Sequence, residues 1–227
     1  MVPFHRFLPV ALALMLAGLA LGAGEGEGRS KHSGPPTLSD IARSPREFLG
    51  QELVLTIQVE SRPTRWNPFL TRFGTEDYCA LLAWGDEQRL WDREDYSNPR
   101  AMLFARRGTP LEPQIQSASR YGRFEATAVV RQVLLARPWI EITALRPLPE
   151  QFSEGSLIHA SRGVEFMAAE HWELATQSFE RALASDLPGR VRADLEGLRA
   201  DSLARCPKPN RDPSKKIAVP VAPPALR

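Results

Sequence analysis

Lysine is almost missing from this chain. Its 227 residues hold only Lys31, Lys208, Lys215 and Lys216, and none falls in the stretch that reads as folded. A Schiff-base lysine or a phosphate-loop lysine is therefore not on offer there. Histidine is as scarce. His5 lies in an apolar leader and His32 in a polar segment, while His159 and His171 lack the spacing of a zinc pair. There is no GxSxG, no HExxH, no CxxC and no calcium-loop pattern. "GAGEGEG" at residues 22–28 loosely matches GxGxxG. Without a strand before it or a helix after it, it does not read as a nucleotide loop. The two cysteines, Cys79 and Cys206, lie far apart. They read as a buried thiol and a thiol at the start of the tail, with a bridge between them as the alternative. "DEQRLWDREDY" gathers Asp86, Glu87, Asp92, Glu94 and Asp95, and paired carboxylates can do glycosidic acid–base work. Here they alternate with Arg89 and Arg93, the pattern of a solvated, salt-bridged loop. These absences point away from an enzyme, and no metal or cofactor is expected.

Long hydrophobic runs are also missing, apart from one. Phe7 to Leu21 is apolar and follows His5 and Arg6. That length suits the apolar part of a signal peptide and is short of the roughly 20 residues that span a bilayer. Ala20, Gly22 and Ala23 supply small residues for cleavage. Residues 1–23 are thus expected to be a signal peptide, followed by a flexible linker at 24–36. The expected location is the periplasm or outside the cell, with no stable membrane span after cleavage. The net charge of +2 is unevenly spread. Residues 37–150 balance 15 arginines against 15 carboxylates, residues 151–204 carry a net −4, and the tail from Arg205 carries +5. A neutral first unit argues against nucleic acid, whose phosphates draw affinity from cations.

What is present is a β pattern followed by a helical one. "LSDIARSPREFLGQ" reads as a short helical lead-in with Leu38, Ile41, Phe48 and Leu49 as apolar contacts. "ELVLTIQVES" places Leu53, Leu55, Ile57 and Val59 on one face and Thr56, Gln58 and Glu60 on the other, a half-buried strand. "DYCALLAWG" is a second strand, apolar on both faces, and "AMLFARR" a third. "PLEPQIQSASRYG" is spaced for a short helix. "RFEATAVVRQVLLA" and "PWIEITALRPL" form a long final hairpin through a tight connection. Five strands with a helix between the third and fourth resemble an OB-fold, a small five-stranded Greek-key barrel, over 37–150.

That resemblance implies a ligand face on strands two and three with the flanking loops. The first connection, "RPTRWNPFLTRFGTED", brings Arg62, Arg65, Trp66, Phe69, Arg72 and Phe73 there. Arginines beside aromatics can stack on sugars or bases. The competing expectation is that Trp66, Phe69 and Phe73 plug an open barrel end. Trp84, Trp91 and Trp139 are expected in packing.

"GVEFMAAEHWELATQSFERALASD" then holds two amphipathic helices, Leu157 to Ala169 and Glu173 to Ala184. Gly163 and Ala175 let them approach, Phe166 and Phe179 fill the space beside them, and Ala182 leaves room for a third helix. This spacing resembles one tetratricopeptide repeat, whose period is 34 residues. His159 stands where that family has tryptophan. Val191, Leu195 and Leu198 share one face of a capping helix. By resemblance Val164, Met167 and Ala168 would line the inner, partner-facing surface, unless that face is the contact between the two parts. The tail, residues 205–227, is Pro-rich, basic and expected to be disordered. The sequence thus predicts an α+β protein, an OB-like barrel with a tetratricopeptide-like hairpin and cap at 151–204. The expected role is non-catalytic protein–protein interaction or scaffolding, with a protein partner. The alternative is oligosaccharide or nucleic-acid binding through the 62–73 loop.

Overall fold

The computed structural model describes residues 34–207. The expected signal peptide, most of the linker and the tail beyond Pro207 lie outside the described residues. The fold is mixed α+β. The chain runs through α1 (Leu38–Arg43), β1 (Glu52–Ser61), β2 (Tyr78–Gly85), α2 (Arg93–Ser97), β3 (Ala101–Arg106), α3 (Leu111–Ser117), β4 (Arg123–Leu134) and β5 (Arg137–Pro147). Three longer helices follow, α4 (Glu154–Ala168), α5 (Trp172–Leu183) and α6 (Gly189–Arg205).

The five strands close into a barrel in the order β1-β2-β3-β5-β4. All neighbours are antiparallel except β3 and β5, joined in parallel only at Leu103–Ile140 and Phe104–Glu141. Alternate residues point into the barrel, as the pleat requires. Leu53, Leu55, Ile57 and Val59 of β1 meet Cys79, Leu81 and Ala83 of β2 and Leu103 of β3 in one buried core. Leu38 and Ile41 of α1 and Ile115 of α3 join that core. Thr37 starts α1 with a reciprocal capping box to Asp40. Leu49, expected among the apolar contacts, is instead half exposed at 51%. It pairs with β4 through its backbone at Val130, so its side chain is free to face outward.

Gln58 departs from the expected polar face of β1, being fully buried. Its amide donates to Asp86 at 3.3 Å. Asp86 also accepts two hydrogen bonds from the Arg123 guanidinium, at 2.7 and 2.8 Å. The strand reads as half-solvated because the covering element is remote in sequence. The β4–β5 connection is a two-residue loop, Leu135–Ala136, with both residues at positive φ (50° and 60°). That geometry favours Asn-Gly in two-residue hairpins, so Leu and Ala hold it under strain.

α4 begins three residues before the expected Leu157. Ser153 caps it by a capping box with Ser156. It ends by a Schellman pattern around Glu170 (φ 58°), in which His171 N–H donates to Phe166 O and Glu170 N–H to Met167 O. α5 packs against α4 so closely that a methyl group on Gly163 would lie 2.4 Å from the Phe179 ring. Ala175, Phe179 and Ala182 are fully buried.

One hydrophobic cluster joins these helices to the barrel. Trp84, Leu90, Trp91 and Tyr121 share it with Phe152, Leu157, Phe179, Val191 and Leu195. The second face of β2 is apolar because Trp84 serves this cluster while Leu81 serves the barrel core. Both cysteines are free thiols. Cys79 is buried, and burial pushes its thiol pKa up. Cys206 closes α6 near the Thr176 hydroxyl. Among the described residues no helix is long and apolar enough to cross a membrane.

Candidate functional site

The 62–73 loop does not plug the barrel. Its rings lie on the outer wall of β2 and β3. Trp66 meets Phe104 edge-on at 5.4 Å, and Phe73 stacks on the same ring at 4.7 Å. Trp139 of β5 completes the cover at 5.3 Å. The Trp66 indole N–H donates to Phe73 O at 2.6 Å, so the loop is closed on itself. Phe104 points outward because it alternates with inward Leu103 and Ala105. A large outward ring on a closed barrel needs a cover, and the loop supplies it. Phe69 is not part of this packing. It stands 91% exposed on a short 3₁₀ turn, Pro68–Leu70. Arg62 hydrogen-bonds Gln116 O, while Arg65 and Arg72 stay at the surface. The structure thus separates the six loop residues. Two rings are used internally, and Phe69 and the arginines face solvent.

The three residues expected on the inner hairpin surface separate as well. Met167 is half-buried against the shared cluster, and Ala168 is exposed at the last residue of α4. Val164 alone lines a groove of about 710 Å³, which runs between α4 and the β2–β3 connection.

Another groove of equal volume is lined by Arg72 and Phe73 of the loop with Tyr78, Arg106 and Glu141, while this one combines aromatic rings with one face of a helix. One wall is Leu90, Trp91, Tyr96 and Tyr121. The other is α4, through Leu157, Ile158, Ser161 and Val164. Asp92, Glu154 and Glu165 bring carboxylates to its lining, and Arg93 and Arg162 bring guanidinium groups. Ile158 is 43% exposed, large for an aliphatic side chain on a helix. Ser161 ties the walls together, its hydroxyl donating to Trp91 O at 3.3 Å. The connection holds its shape through buried Gln88. That side chain accepts from Gly85 N–H and donates to Asp95 O and Asn98 O. Arg89 reaches Asp194 of α6 at 3.3 Å. The run is ion-paired, but not through its own alternating arginines: Asp86 pairs with Arg123, Asp95 with Arg100 and Arg89 with Asp194, and the run folds around buried Gln88 and contains α2.

Tyr121 is the strained member. It sits at φ 66°, a region that bulky residues rarely adopt. Such strain persists only where the surroundings over-determine it, and it clusters at functional positions. Here the ring stacks on Trp84 at 5.8 Å with planes 5° apart. The Arg120 guanidinium lies over the Trp84, Tyr96 and Tyr121 rings. Tyr121 N–H donates to Val59 O at 2.8 Å, anchoring the residue beside the irregularity in β1. Burial, then the hydroxyl contact with Tyr96 at 3.1 Å, pushes the Tyr121 phenol up to about 12. Two hydroxyls in contact use one O–H between them, which leaves the pair one further O–H to donate. Tyr96 and Tyr121 carry no sequence pattern that marks them. The one available signal was the aromatic content of "LWDREDY" and "SRYG" at two remote loops.

No group of three or more His, Cys, Asp or Glu side chains placed to hold a metal occurs among the described residues. No family model matches the chain, and neither the curated proteins nor the solved structures contain a match to it.

Proposed function

We propose that this is an exported, non-catalytic protein-interaction or scaffold protein, and that the groove along α4 is its interaction surface. The observation that carries the reading is that groove. It is lined by aromatic and aliphatic side chains with charged groups among them, its walls are tied by the Ser161–Trp91 hydrogen bond, and one of its rings is a strained tyrosine. Grooves lined by aromatic and aliphatic side chains can seat a helical or proline-rich segment of a partner. The strand order β1-β2-β3-β5-β4, with α3 between β3 and β4, supports reading the barrel as OB-like. The close approach of Gly163 to Phe179 supports reading α4 and α5 as a tetratricopeptide-like pair. In that reading a lone repeat is stabilised by docking on the barrel, which leaves one stretch of α4 for a partner. The apolar leader at Phe7 to Leu21 supports export to the periplasm or beyond.

The test is capture of partners from the native envelope by tagged protein, with three variants in parallel. Ile158→Asp and Tyr96→Ala change the groove, and Phe69→Ala changes an exposed ring of the 62–73 loop that is not in the groove lining. Capture lost with the first two and kept with the third supports the reading. Capture unaffected by the groove variants, or lost only with Phe69→Ala, overturns it.

A further inference from the structure

We propose that the resting occupant of this groove is the chain's own C-terminal segment, Ile217–Leu226, and that an outside partner must displace it. The inference rests on the groove being an interaction surface.

The segment reads "IAVPVAPPAL", with Pro220 and Pro223 spaced as PxxP. Proline-rich segments favour the polyproline II helix and dock in grooves lined by aromatic rings, at low entropic cost. Trp91, Tyr96 and Tyr121 provide such rings. The Tyr96–Tyr121 hydroxyl pair keeps one O–H donor, and a polyproline helix has free carbonyls all along its length.

Reach and direction agree. α6 ends beside the start of α5, with Arg205 5.0 Å above the Trp172 ring. The start of α5 follows directly on the end of α4. Glu165, at the groove's end, is only three residues, about 5 Å, from the last residue of α4. One or two interhelix spacings, about 10–20 Å, separate that point from α6. The nine residues Lys208–Lys216 span about 28 Å at ~3.1 Å each, enough to bring Ile217 to the groove. The groove itself follows α4 from Glu154 to Glu165, about 16 Å at 1.5 Å per residue, and PxxP with its neighbours fills that length.

Charge agrees as well. Residues 151–204 carry a net −4 and the tail from Arg205 carries +5. Lys215 and Lys216 stand just before the docking segment and Arg227 just after it. The groove lining itself holds Asp92, Glu154 and Glu165 against Arg93 and Arg162, a net −1.

The experiment uses a labelled synthetic peptide of residues 215–227, the full chain, and a chain ending at Pro207, with binding read by fluorescence anisotropy. The shortened chain should bind the peptide. The full chain should bind it at least ~10-fold more weakly, because a tethered segment acts at an effective concentration on the order of millimolar. Pro220→Ala with Pro223→Ala in the full chain should restore peptide binding to the level of the shortened chain. Tyr96→Ala in the shortened chain should abolish it, and Phe69→Ala should leave it unchanged. Failure of the shortened chain to bind overturns the proposal. So does equal binding by the full and shortened chains, or binding that survives Tyr96→Ala. If the shortened chain ignores the peptide yet still captures envelope partners through the groove, the self-occupancy fails and the interaction reading stands.

Discussion

Gly163 and Phe179 offer the sharpest test of how the helical hairpin is held. Taken alone, Gly163→Ala in mid-helix should stabilise, because alanine is favoured over glycine by about 1 kcal/mol. The structure reverses that expectation. A Cβ at this position would meet ring atoms at 2.4, 2.7 and 2.7 Å, well inside any tolerable contact. The ring cannot swing aside, since Phe179 is fully buried between α4, α5 and the cluster they share with the barrel. Overpacking of this kind costs about 1–3 kcal/mol. The net effect of Gly163→Ala is a loss of about 1 kcal/mol. Phe179→Ala removes the ring and should cost about 3–5 kcal/mol. In that background the space is open, so adding Gly163→Ala should now stabilise by about 1 kcal/mol. The sign of one substitution thus depends on the other, with a coupling of about 2 kcal/mol. Urea unfolding of the wild type, both single variants and the double variant measures all four corners by far-ultraviolet circular dichroism. Helical signal should be lost before the barrel in the Phe179→Ala protein, and residues 151–204 expressed alone should be largely unfolded. Additive effects, or a stabilising Gly163→Ala in the wild-type background, would refute the close approach of α4 and α5.

Asp86→Ala should lower stability by about 1.5–3 kcal/mol in a urea midpoint assay. It removes a two-point acceptor for Arg123, which is only 15% exposed, and strips Gln58 of its partner. Tyr121 should ionise above the ordinary tyrosine range in an ultraviolet titration, a late phase that Tyr121→Phe removes. Because its folded value, about 12, lies above that of the unfolded chain, the neutral phenol stabilises the fold at lower pH. That contribution is lost as pH rises from the ordinary tyrosine range through about 12, and Tyr121→Phe should flatten the alkaline loss. Leu135→Asn with Ala136→Gly should raise the thermal midpoint, with a gain of about 1–2 kcal/mol. The pair relieves two left-handed residues at a site where Leu135 is 77% exposed. A neutral or destabilising outcome would contradict the strained turn. Single-stranded DNA should show no steep loss of affinity with salt, since residues 37–150 carry balanced charge.

The barrel was legible where its signal is local. Alternation in "ELVLTIQVES" placed the inward face of β1, and the two-faced apolar run "DYCALLAWG" marked a strand covered on both sides. The glycine and alanine spacing in α4 and α5 announced their contact before it was seen. What stayed hidden depends on remote partners. Gln58 looks solvated until Asp86 and Arg123 are brought over it. Trp66 and Phe73 look like a stacking platform until Phe104, an outward residue of β3, takes both rings. The groove was least legible of all. Its walls come from three separated segments, and Tyr121 reaches it only through a backbone conformation that no propensity favours.

Closure of the barrel decides how any partner can be met. With β1 paired to β4 and β3 to β5, the sheet is closed, but the β3–β5 seam is held by only two residue pairs. A strand added by a partner would have to enter where the ladder is thin, as it is there. Along the long β1–β4 and β4–β5 ladders recognition must run through side chains, so contact with those walls is selective for particular sequences and sensitive to single substitutions.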